Sequence, residues 1–369
     1  MDHVNVIIVG AGLSGVGAAA HLVEQCPEKT FTLLEGRAAV GGTWDLFRYP
    51  GIRSDSDMHT LGYSFKPWTQ AKSIADGPSI RDYVNETADE FDIRRHIRFD
   101  HKVQTASWDS TQSHWVLTSN LSDGSTTKIS GDFLFMCGGY YSYDDPHRPE
   151  FPGESRYQGQ VLHPQFWPED LDYEGKKVIV IGSGATAMTI VPSMTQKGAQ
   201  VTMVQRSPTY VVSRPAEDKI ANTLRKWLPE KWAYAITRLK NTTLSGYFYR
   251  QTRSQPAKTK AQLLGMATAN LGEEMVKAHF TPSYNPWDQR MCLIPDGDLY
   301  QSINEGSAQV VTGDIETWTE QGLVMKDGTE VTGDIIVTAT GITLTVMSGI
   351  AFDLDGTAIN FPDTFTYKG

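Results

Sequence analysis

The fold is decided by one stretch near the start of the chain, Val4-Asn5-Val6-Ile7-Ile8-Val9-Gly10-Ala11-Gly12-Leu13-Ser14-Gly15. Its first six residues are mostly apolar and β-branched, which predicts a buried parallel strand. Gly10 permits the tight turn that follows, Gly12 lets the backbone approach a pyrophosphate, and Gly15 lets the next helix pack closely. An Ala-rich helix over Val16–Gln25 and a strand over Thr30–Leu34 complete a βαβ unit. The stretch therefore predicts a dinucleotide site at a helix N-terminus.

Two features support this first cradle. Glu35 comes directly after the second strand, where an acid accepts ribose hydroxyl groups and repels a 2'-phosphate. Ser14 falls in the first turn of the helix, and Gly42-Thr43-Trp44 continues the glycine-rich loop. We therefore expect Ser14 and Glu35 to line the site with the three glycines.

A second cradle begins after the strand Lys177–Ile181, at Gly182-Ser183-Gly184-Ala185-Thr186-Ala187. Ala replaces the third glycine, which is tolerated where only close packing is at stake. We expect Gly182, Gly184, Ala185 and Thr186 to contact a nucleotide. After the next strand the acid is replaced by Arg206 and Ser207, a cationic fork and a hydroxyl donor that suit a phosphate. This cradle therefore predicts NADPH rather than NADH.

The composition is ordinary for a globular chain of 369 residues, with 40% hydrophobic and 21% charged residues. The formal charge of -10 argues against a nucleic-acid partner. Cys26, Cys137 and Cys292 are widely spaced and form no Cys-x-x-Cys pair, so we predict no metal site and no redox dithiol.

Features of the termini and of the apolar runs predict a cytoplasmic protein. Met1-Asp2-His3 leads directly into a strand without a basic segment or cleavage site, which predicts no signal peptide. No apolar run reaches the roughly 18 residues that a spanning helix needs. Free thiols are expected in a reducing compartment.

Residues 216–280 have a helical pattern and a basic balance, with eleven Lys/Arg against five Asp/Glu. We interpret them as a helical insertion with a solvated basic face. The alternative, which we do not favour from sequence, is a surface that associates with a membrane, since basic amphipathic helices bind there.

Further stretches resemble class B flavoprotein monooxygenases, and within them the Baeyer–Villiger enzymes. They comprise Gly42-Thr43-Trp44-Asp45-Leu46-Phe47-Arg48-Tyr49-Pro50-Gly51-Ile52-Arg53-Ser54-Asp55-Ser56-Asp57, Tyr157-Gln158-Gly159-Gln160-Val161-Leu162-His163-Pro164-Gln165-Phe166-Trp167-Pro168, Gln205-Arg206-Ser207-Pro208-Thr209-Tyr210 and Tyr284-Asn285-Pro286-Trp287-Asp288-Gln289-Arg290. The resemblance covers essentially the whole chain and assigns FAD to the first cradle and NADPH to the second. It also implies that Gly42, Thr43 and Trp44 lie along the FAD pyrophosphate and flavin.

The predicted fold class is α/β, with two Rossmann-like domains, β-hairpin additions and a helical insertion. Asp123-Gly124 and Asp327-Gly328 predict hairpin turns, and Phe133-Leu134-Phe135-Met136 predicts a buried strand. We expect an FAD-binding domain over residues 1–145, a linker with the fingerprint over 146–176, and an NADP-binding domain over 177–328 that contains the insertion. Residues 329–369 return to the FAD domain. Relatives of this type continue for roughly another hundred residues, so we expect a truncated product.

The resemblance implies an NADPH- and O2-dependent Baeyer–Villiger oxidation of ketones to esters or lactones through a C4a-peroxyflavin, with oxygenation of sulfides or thioamides by the same species. Arg290 matches the catalytic Arg and stays charged at any working pH. Asp55 matches the acid near the flavin, and we rank it ahead of Asp57; its alternative is a carboxylate that caps a turn. His163 and Trp167 are expected to be structural.

Some residues depart from the family pattern. The fingerprint begins with Tyr157 where Phe is usual. Gln289 replaces a Lys that helps to hold the NADP phosphate in many relatives, which leaves more of that task to Arg206.

Two other functions stay open. One is a flavin monooxygenase that oxygenates only sulfur or nitrogen, although Trp167 favours the Baeyer–Villiger branch. The other is an inactive nucleotide-binding fragment. A pyridine-nucleotide disulfide reductase would need a redox pair of cysteines, which the sequence lacks.

Overall fold

The computed structural model describes residues 1–367. The strands are β1 Asp2–Val9, β2 Phe31–Leu34, β3 Ile97–Arg98, β4 Lys102–Asp109, β5 His114–Asn120, β6 Thr126–Met136, β7 Gln160–Leu162, β8 Lys177–Ile181, β9 Gln200–Gln205, β10 Tyr210–Arg214, β11 Met291–Pro295, β12 Ala308–Thr312, β13 Ile315–Thr319, β14 Gly322–Met325, β15 Glu330–Thr332, β16 Ile335–Thr338, β17 Ala351–Leu354 and β18 Thr357–Ala358.

The α-helices are α1 Leu13–Gln25, α2 Thr43–Leu46, α3 Met58–Leu61, α4 Gly77–Glu90, α5 Ala185–Thr195, α6 Lys219–Trp227, α7 Glu230–Ser254, α8 Pro256–Leu271, α9 Glu273–His279 and α10 Asp298–Asn304. Short 3₁₀ turns cover Arg94–His96, Glu154–Arg156, Pro164–Phe166, Val346–Gly349 and Phe361–Asp363.

The chain divides by its internal contacts into two compact units. The first contains Met1–Leu46, Pro78–Asp145 and the chain from Ile342 onward. The second contains Phe47–Gly77 and Pro146–Gly341. Each unit holds one of the two glycine-rich cradles.

The first unit is built on an eight-stranded sheet of order β18-β17-β4-β5-β6-β1-β2-β3. Strands β6, β1, β2 and β3 run parallel, because the chain returns through α1 and α4 between them, as in a Rossmann-type half-sheet. β4, β5 and β6 form an antiparallel meander, with the predicted hairpin turn at Asp123-Gly124. Ile7, Leu34 and Leu117 lie in its core.

One expectation for this sheet is wrong. Residues 133–136 were predicted to be a buried strand, yet Phe133 and Phe135 are exposed on one face of β6. An apolar run predicts burial on both faces, but no described element covers this face of the strand.

The second unit is built on a five-stranded parallel sheet of order β12-β9-β8-β16-β7. α5 follows β8 and packs on the sheet through Met188, Val191 and Met194. β13, β14 and β15 form a separate antiparallel sheet, with the predicted turn at Asp327-Gly328 between the last two. β10 and β11 pair with each other in parallel.

The helical insertion is present as α6, α7, α8 and α9, within the predicted residues 216–280. Within residues 1–367, no helix combines the length and apolar character needed to cross a membrane.

Candidate functional site: two dinucleotide cradles and an Arg–Asp pair

The first cradle joins β1 to α1 at a turn that only glycine fits. Gly10 has φ of 98°, and a Cβ there would lie 2.6 Å from the Cys137 carbonyl oxygen. Gly12 is the N-cap of α1 and provides no side chain to cap it, so the first-turn N–H groups remain available to an anion. Ser14 is exposed in that turn, and Gly15 is buried beside Gly10.

The buried carboxylate of Glu35 holds the loop of the first cradle through two hydrogen bonds. Its Oε2 accepts a hydrogen bond from the backbone N–H of Ala11 at 2.7 Å, and its Oε1 accepts one from the N–H of Arg37 at 3.0 Å. Burial raises the pKa of Glu35, while these two hydrogen bonds oppose the rise. A carboxylate oxygen can accept more than one hydrogen bond, so each oxygen of Glu35 can accept a further one from a ribose hydroxyl.

Gly42-Thr43-Trp44 lies against the first cradle. The N–H of Gly41 donates to the Ala11 carbonyl at 3.0 Å, and the ideal Cβ position at Gly12 is 3.5 Å from the Gly42 Cα. Thr43 and Trp44 begin α2, both half-buried. The backbone of the two glycine loops is thereby brought together.

Arg37, a charged residue beside this loop, was not predicted to belong to the site. Arg37 pairs with the buried Asp45 at 2.8 Å, and its guanidinium lies 5.9 Å from the ring centre of Tyr143. Burial raises the pKa of Tyr143, and the charge of Glu35 adds to the rise. An Arg two residues beyond the cradle acid is the only signal that the sequence offered.

The second cradle repeats this geometry between β8 and α5. Gly182 has φ of 140°, and a Cβ there would clash with the Ala339 carbonyl. Gly184 is the N-cap of α5 without a side-chain cap, and Ala185 and Thr186 form the first turn. The Ser183 hydroxyl donates to the carbonyl of Ser207 at 3.1 Å, which ties the glycine loop to the turn after β9.

Arg206 and Ser207 follow β9 and are both exposed. No hydrogen bond or ion pair of Arg206 is found in residues 1–367. Gln205, by contrast, is buried and donates to the His279 carbonyl at 2.7 Å and to the Thr312 hydroxyl at 2.9 Å. Arg206 is therefore the side chain of this turn that stays free for a ligand.

Arg290 lies at the second cradle. It immediately precedes β11, and its carbonyl accepts hydrogen bonds from the hydroxyls of Thr209 and Tyr284, each at 3.3 Å. Its guanidinium lies so close to Gly184 that a Cβ there would clash with Nη1. The cation is therefore placed where only glycine leaves room for it.

Asp55 belongs to a segment that packs on α5. Gly51 has φ of 73°, and a Cβ there would clash with the Ser193 hydroxyl on α5. Surrounding atoms desolvate the Asp55 carboxyl and raise its pKa although the residue keeps accessible surface, and the charge of Arg53 opposes the rise. Asp57 instead caps α3, accepting from the N–H of Thr60 at 3.1 Å.

The charges of Asp55 and Arg290 both influence the pKa of the Cys292 thiol. Burial raises the pKa of this thiol to about 12; the charge of Asp55 adds to the rise and that of Arg290 opposes it. The thiol therefore stays protonated, and both charged groups are near enough to influence it. Within the described chain they form no direct ion pair.

Two anchors of the Asp55 segment were not predicted. Arg53 is buried and pairs with Asp298, the first residue of α10, at 2.5 Å. Its Nη2 also reaches the Met188 carbonyl at 3.4 Å. Tyr49 hydrogen-bonds Thr186 in the second cradle, and burial raises the pKa of Tyr49 to about 12. The sequence signalled neither partner, because Asp298 is distant along the chain.

Comparison with known proteins adds the family. The family model described as flavin-binding monooxygenase-like matches residues 3–348.

This chain belongs to the flavin-binding monooxygenase-like family.

Its relatives in the family extend across the whole chain. It is 50% identical over 370 residues to the FAD-containing monooxygenase EthA of Mycolicibacterium smegmatis, which covers 100% of this chain and 75% of that protein. It is 45% identical to the probable FAD-binding monooxygenase AlmA of Acinetobacter baylyi, covering 100% of this chain and 74% of that protein. A solved structure titled oxidized steroid monooxygenase bound to NADP matches with a TM-score of 0.78 and 26% identity, over 95% of this chain and 73% of that one.

These matches confirm the predicted fold class and a flavin-dependent monooxygenase of the Baeyer–Villiger and related type. FAD and NADP, named for these relatives, are the two cofactors predicted from the sequence. In this flavin-binding monooxygenase-like chain the fingerprint residues have packing contacts. His163 is buried and its Nδ1 accepts from the N–H of Gln165 at 3.2 Å, while Trp167 packs edge-on against Tyr173.

Proposed function

We propose that this chain catalyses Baeyer–Villiger oxidation, in which a ketone, O2, NADPH and a proton give an ester or lactone, water and NADP⁺. Oxygenation of a sulfide or thioamide sulfur is the second reaction that we assign to the same site. The observation that carries the proposal is Arg290, whose guanidinium lies beside the Gly184 backbone in the cradle assigned to NADP.

The cradles fit the two cofactors. At Gly10 and Gly182 a side chain would fill the space of the turn, and both helix N-termini lack a side-chain cap. We assign the FAD pyrophosphate to Gly12, Ser14 and Gly15, its ribose to Glu35, and its remaining length to Gly42-Thr43-Trp44. We assign the NADP pyrophosphate to Gly184, Ala185 and Thr186, and the 2'-phosphate to Arg206 and Ser207.

Bound FAD, reduced by NADPH, supplies the two-electron chemistry that activates O2. The chain's own contribution is a permanent cation and an acid. Arg290 stabilises the negative charge that develops on oxygen, because its guanidinium carries a charge at every working pH. Asp55 orients that guanidinium and, with a raised pKa, adjusts how strongly the site holds a proton.

The test is the Arg290→Ala variant with a cyclic ketone. We expect ester formation to fall by about 10²–10³, the usual cost of removing a donor that faces developing negative charge. Reduction of bound FAD by NADPH without O2 should remain measurable. Arg290→Lys is the matched control, because it keeps the charge and loses the planar fork. A normal ester yield from Arg290→Ala would end the proposal.

Two outcomes favour other functions. Turnover of a thioether with no ester from any ketone would identify a flavin monooxygenase specific for sulfur or nitrogen. Purified protein without the yellow flavin absorbance, which takes up no FAD on addition, would identify a non-catalytic nucleotide-binding protein.

A further inference from the structure

The outward face of α7 is apolar. Trp232, Ile236, Leu239 and Tyr247 follow a spacing of four, three and eight residues, which places them along one side of the helix. All four are exposed, Trp232 by 64% and Leu239 by 68%. The inward side instead buries small or polar residues, Ala233, Thr237 and Thr252.

This arrangement is the reverse of the usual one. A helix on a globular protein normally turns its large apolar side chains inward and its polar ones to water. Here only Ala233, Thr237 and Thr252 of the 25-residue helix are buried, while its large apolar side chains, Leu244, Phe248 and Tyr249 among them, are exposed. Contiguous exposed apolar surface of this kind marks a site of contact with a partner or a membrane.

The same insertion continues the pattern in α6. Ile220 and Trp227, seven residues apart and so on one side of the helix, are both exposed, Trp227 by 82%. Only Leu228 and Pro229 separate α6 from α7. We define the α6–α7 apolar face as six of the exposed apolar side chains of the two helices: Ile220, Trp227, Trp232, Ile236, Leu239 and Tyr247.

Cations border this face. Lys226 precedes Trp227, Lys231 precedes Trp232, and Arg250 lies three residues beyond Tyr247. All three cations are exposed, and none makes an ion pair or hydrogen bond with another residue of the described chain. Their charges are therefore available to a partner.

Other cations of the insertion are used internally. Lys240 pairs with Asp218 at 2.6 Å, and Arg238 donates to the carbonyls of His59 and Thr60 at 3.1 and 3.0 Å. Lys226, Lys231 and Arg250, which flank the apolar face, make no such internal bond within the described chain.

We propose that the α6–α7 apolar face docks on an anionic lipid surface. The whole chain has a formal charge of -10, while residues 216–280 hold eleven Lys/Arg against five Asp/Glu. This local positive charge complements an anionic surface, and exposed Trp rings with flanking Lys and Arg suit the level of lipid headgroups. Two copies pairing through this face would instead bring the same cations together, which opposes association.

The experiment is flotation of the whole chain with lipid vesicles. Vesicles of phosphatidylglycerol and phosphatidylcholine in equal parts are compared with vesicles of phosphatidylcholine alone, at low and high salt. We expect binding to the anionic vesicles that weakens as salt rises. Trp232→Ser with Leu239→Ser, and separately Lys231→Glu with Arg250→Glu, should each reduce the bound fraction about tenfold or more.

Matched controls lie elsewhere on the surface. Leu354→Ser changes an exposed apolar side chain and Lys29→Glu an exposed cation, both in the first unit. Both should bind vesicles as the original chain does. Equal circular dichroism and unchanged oxidation of NADPH in the absence of lipid establish that each variant is folded.

Three results would overturn the proposal. The first is no binding to anionic vesicles at low salt. The second is equal loss of binding in the control variants. The third is self-association, measured by light scattering, that disappears in the α6–α7 variants while vesicles are never bound; that result would make a second copy the occupant. None of these results depends on whether esters are formed.

Discussion

The two cradles share one backbone plan and differ in the residue that follows the second strand. In the first cradle that residue is Glu35, which is buried and bonded to the backbone of its own loop. In the second it is Arg206, which is exposed and makes no hydrogen bond or ion pair within the described residues.

This difference separates two tasks. Glu35 stabilises the loop before any ligand arrives, so the first cradle is preorganised by the protein itself. Arg206 is held in place only through its neighbours, with Gln205 anchored inward and Ser207 tied to Ser183. The second cradle thus leaves the Arg206 cation without an internal partner in the described chain, so that it is available to an anionic ligand.

The largest contrast is expected between Gly15 and Ala187, the last residues of the two glycine-rich motifs. Gly15→Ala would place a Cβ against the Gly10 carbonyl, where backbone has to shift. We expect a loss of about 3 kcal/mol or more in the free energy of unfolding, with loss of bound FAD. Ala187→Gly, at the equivalent place in α5, should cost only about 1 kcal/mol through helix propensity.

Urea unfolding and flavin content of the purified variants measure this contrast. If Gly15→Ala kept its FAD and its stability, the close approach of helix and strand in the first cradle would be refuted. Equal losses in both variants would show that the cradles are packed alike.

The next prediction tests whether the Glu35 carboxylate stabilises the loop of the first cradle. Glu35→Gln replaces one acceptor oxygen by an NH2 group, which leaves the N–H of Ala11 or Arg37 without its acceptor. Such a loss costs about 1–3 kcal/mol. Release of FAD, followed by flavin fluorescence during urea titration, should occur at lower urea. A FAD affinity and a midpoint equal to those of the parent chain would mean that the buried carboxylate does not hold the loop.

The sequence predicted each cradle because its signals are local: strand, glycines, helix and the residue after the next strand lie within about one βαβ unit. It could not predict the partners that tertiary contacts bring in. Arg53 meets Asp298, 245 residues away, and Tyr49 meets Thr186. The exposed Phe133 and Phe135 were missed for the same reason, since an apolar run does not reveal which faces of a sheet are covered.

An effect of similar size is expected in the second cradle. Arg206→Ala should lower the preference for NADPH over NADH by about 10- to 100-fold, because a hydrogen bond to a charged group contributes about 1.5–3 kcal/mol. Steady-state kcat/KM for both nucleotides measures it. FAD content and unfolding midpoint should not change, since Arg206 makes no hydrogen bond or ion pair within the described chain. A preference that survives the substitution would assign the 2'-phosphate to other residues.

The smallest effect concerns Arg53 and its influence on the pKa of Asp55. The Arg53 charge opposes the rise in the pKa of Asp55 that desolvation causes, so Arg53→Met should raise that pKa further. If Asp55 acts as an ionised group that orients Arg290, the fraction of consumed NADPH that yields ester increases as pH rises through this pKa. This increase is the rising limb of the pH profile of ester yield. Arg53→Met should therefore move the limb to higher pH, while Arg53→Lys, which keeps the charge, should leave it closer to its original position. Asp55→Asn should abolish the limb altogether. A limb that stays in place in Arg53→Met would mean that the Arg53–Asp298 pair only anchors the segment to α10 and does not tune the acid.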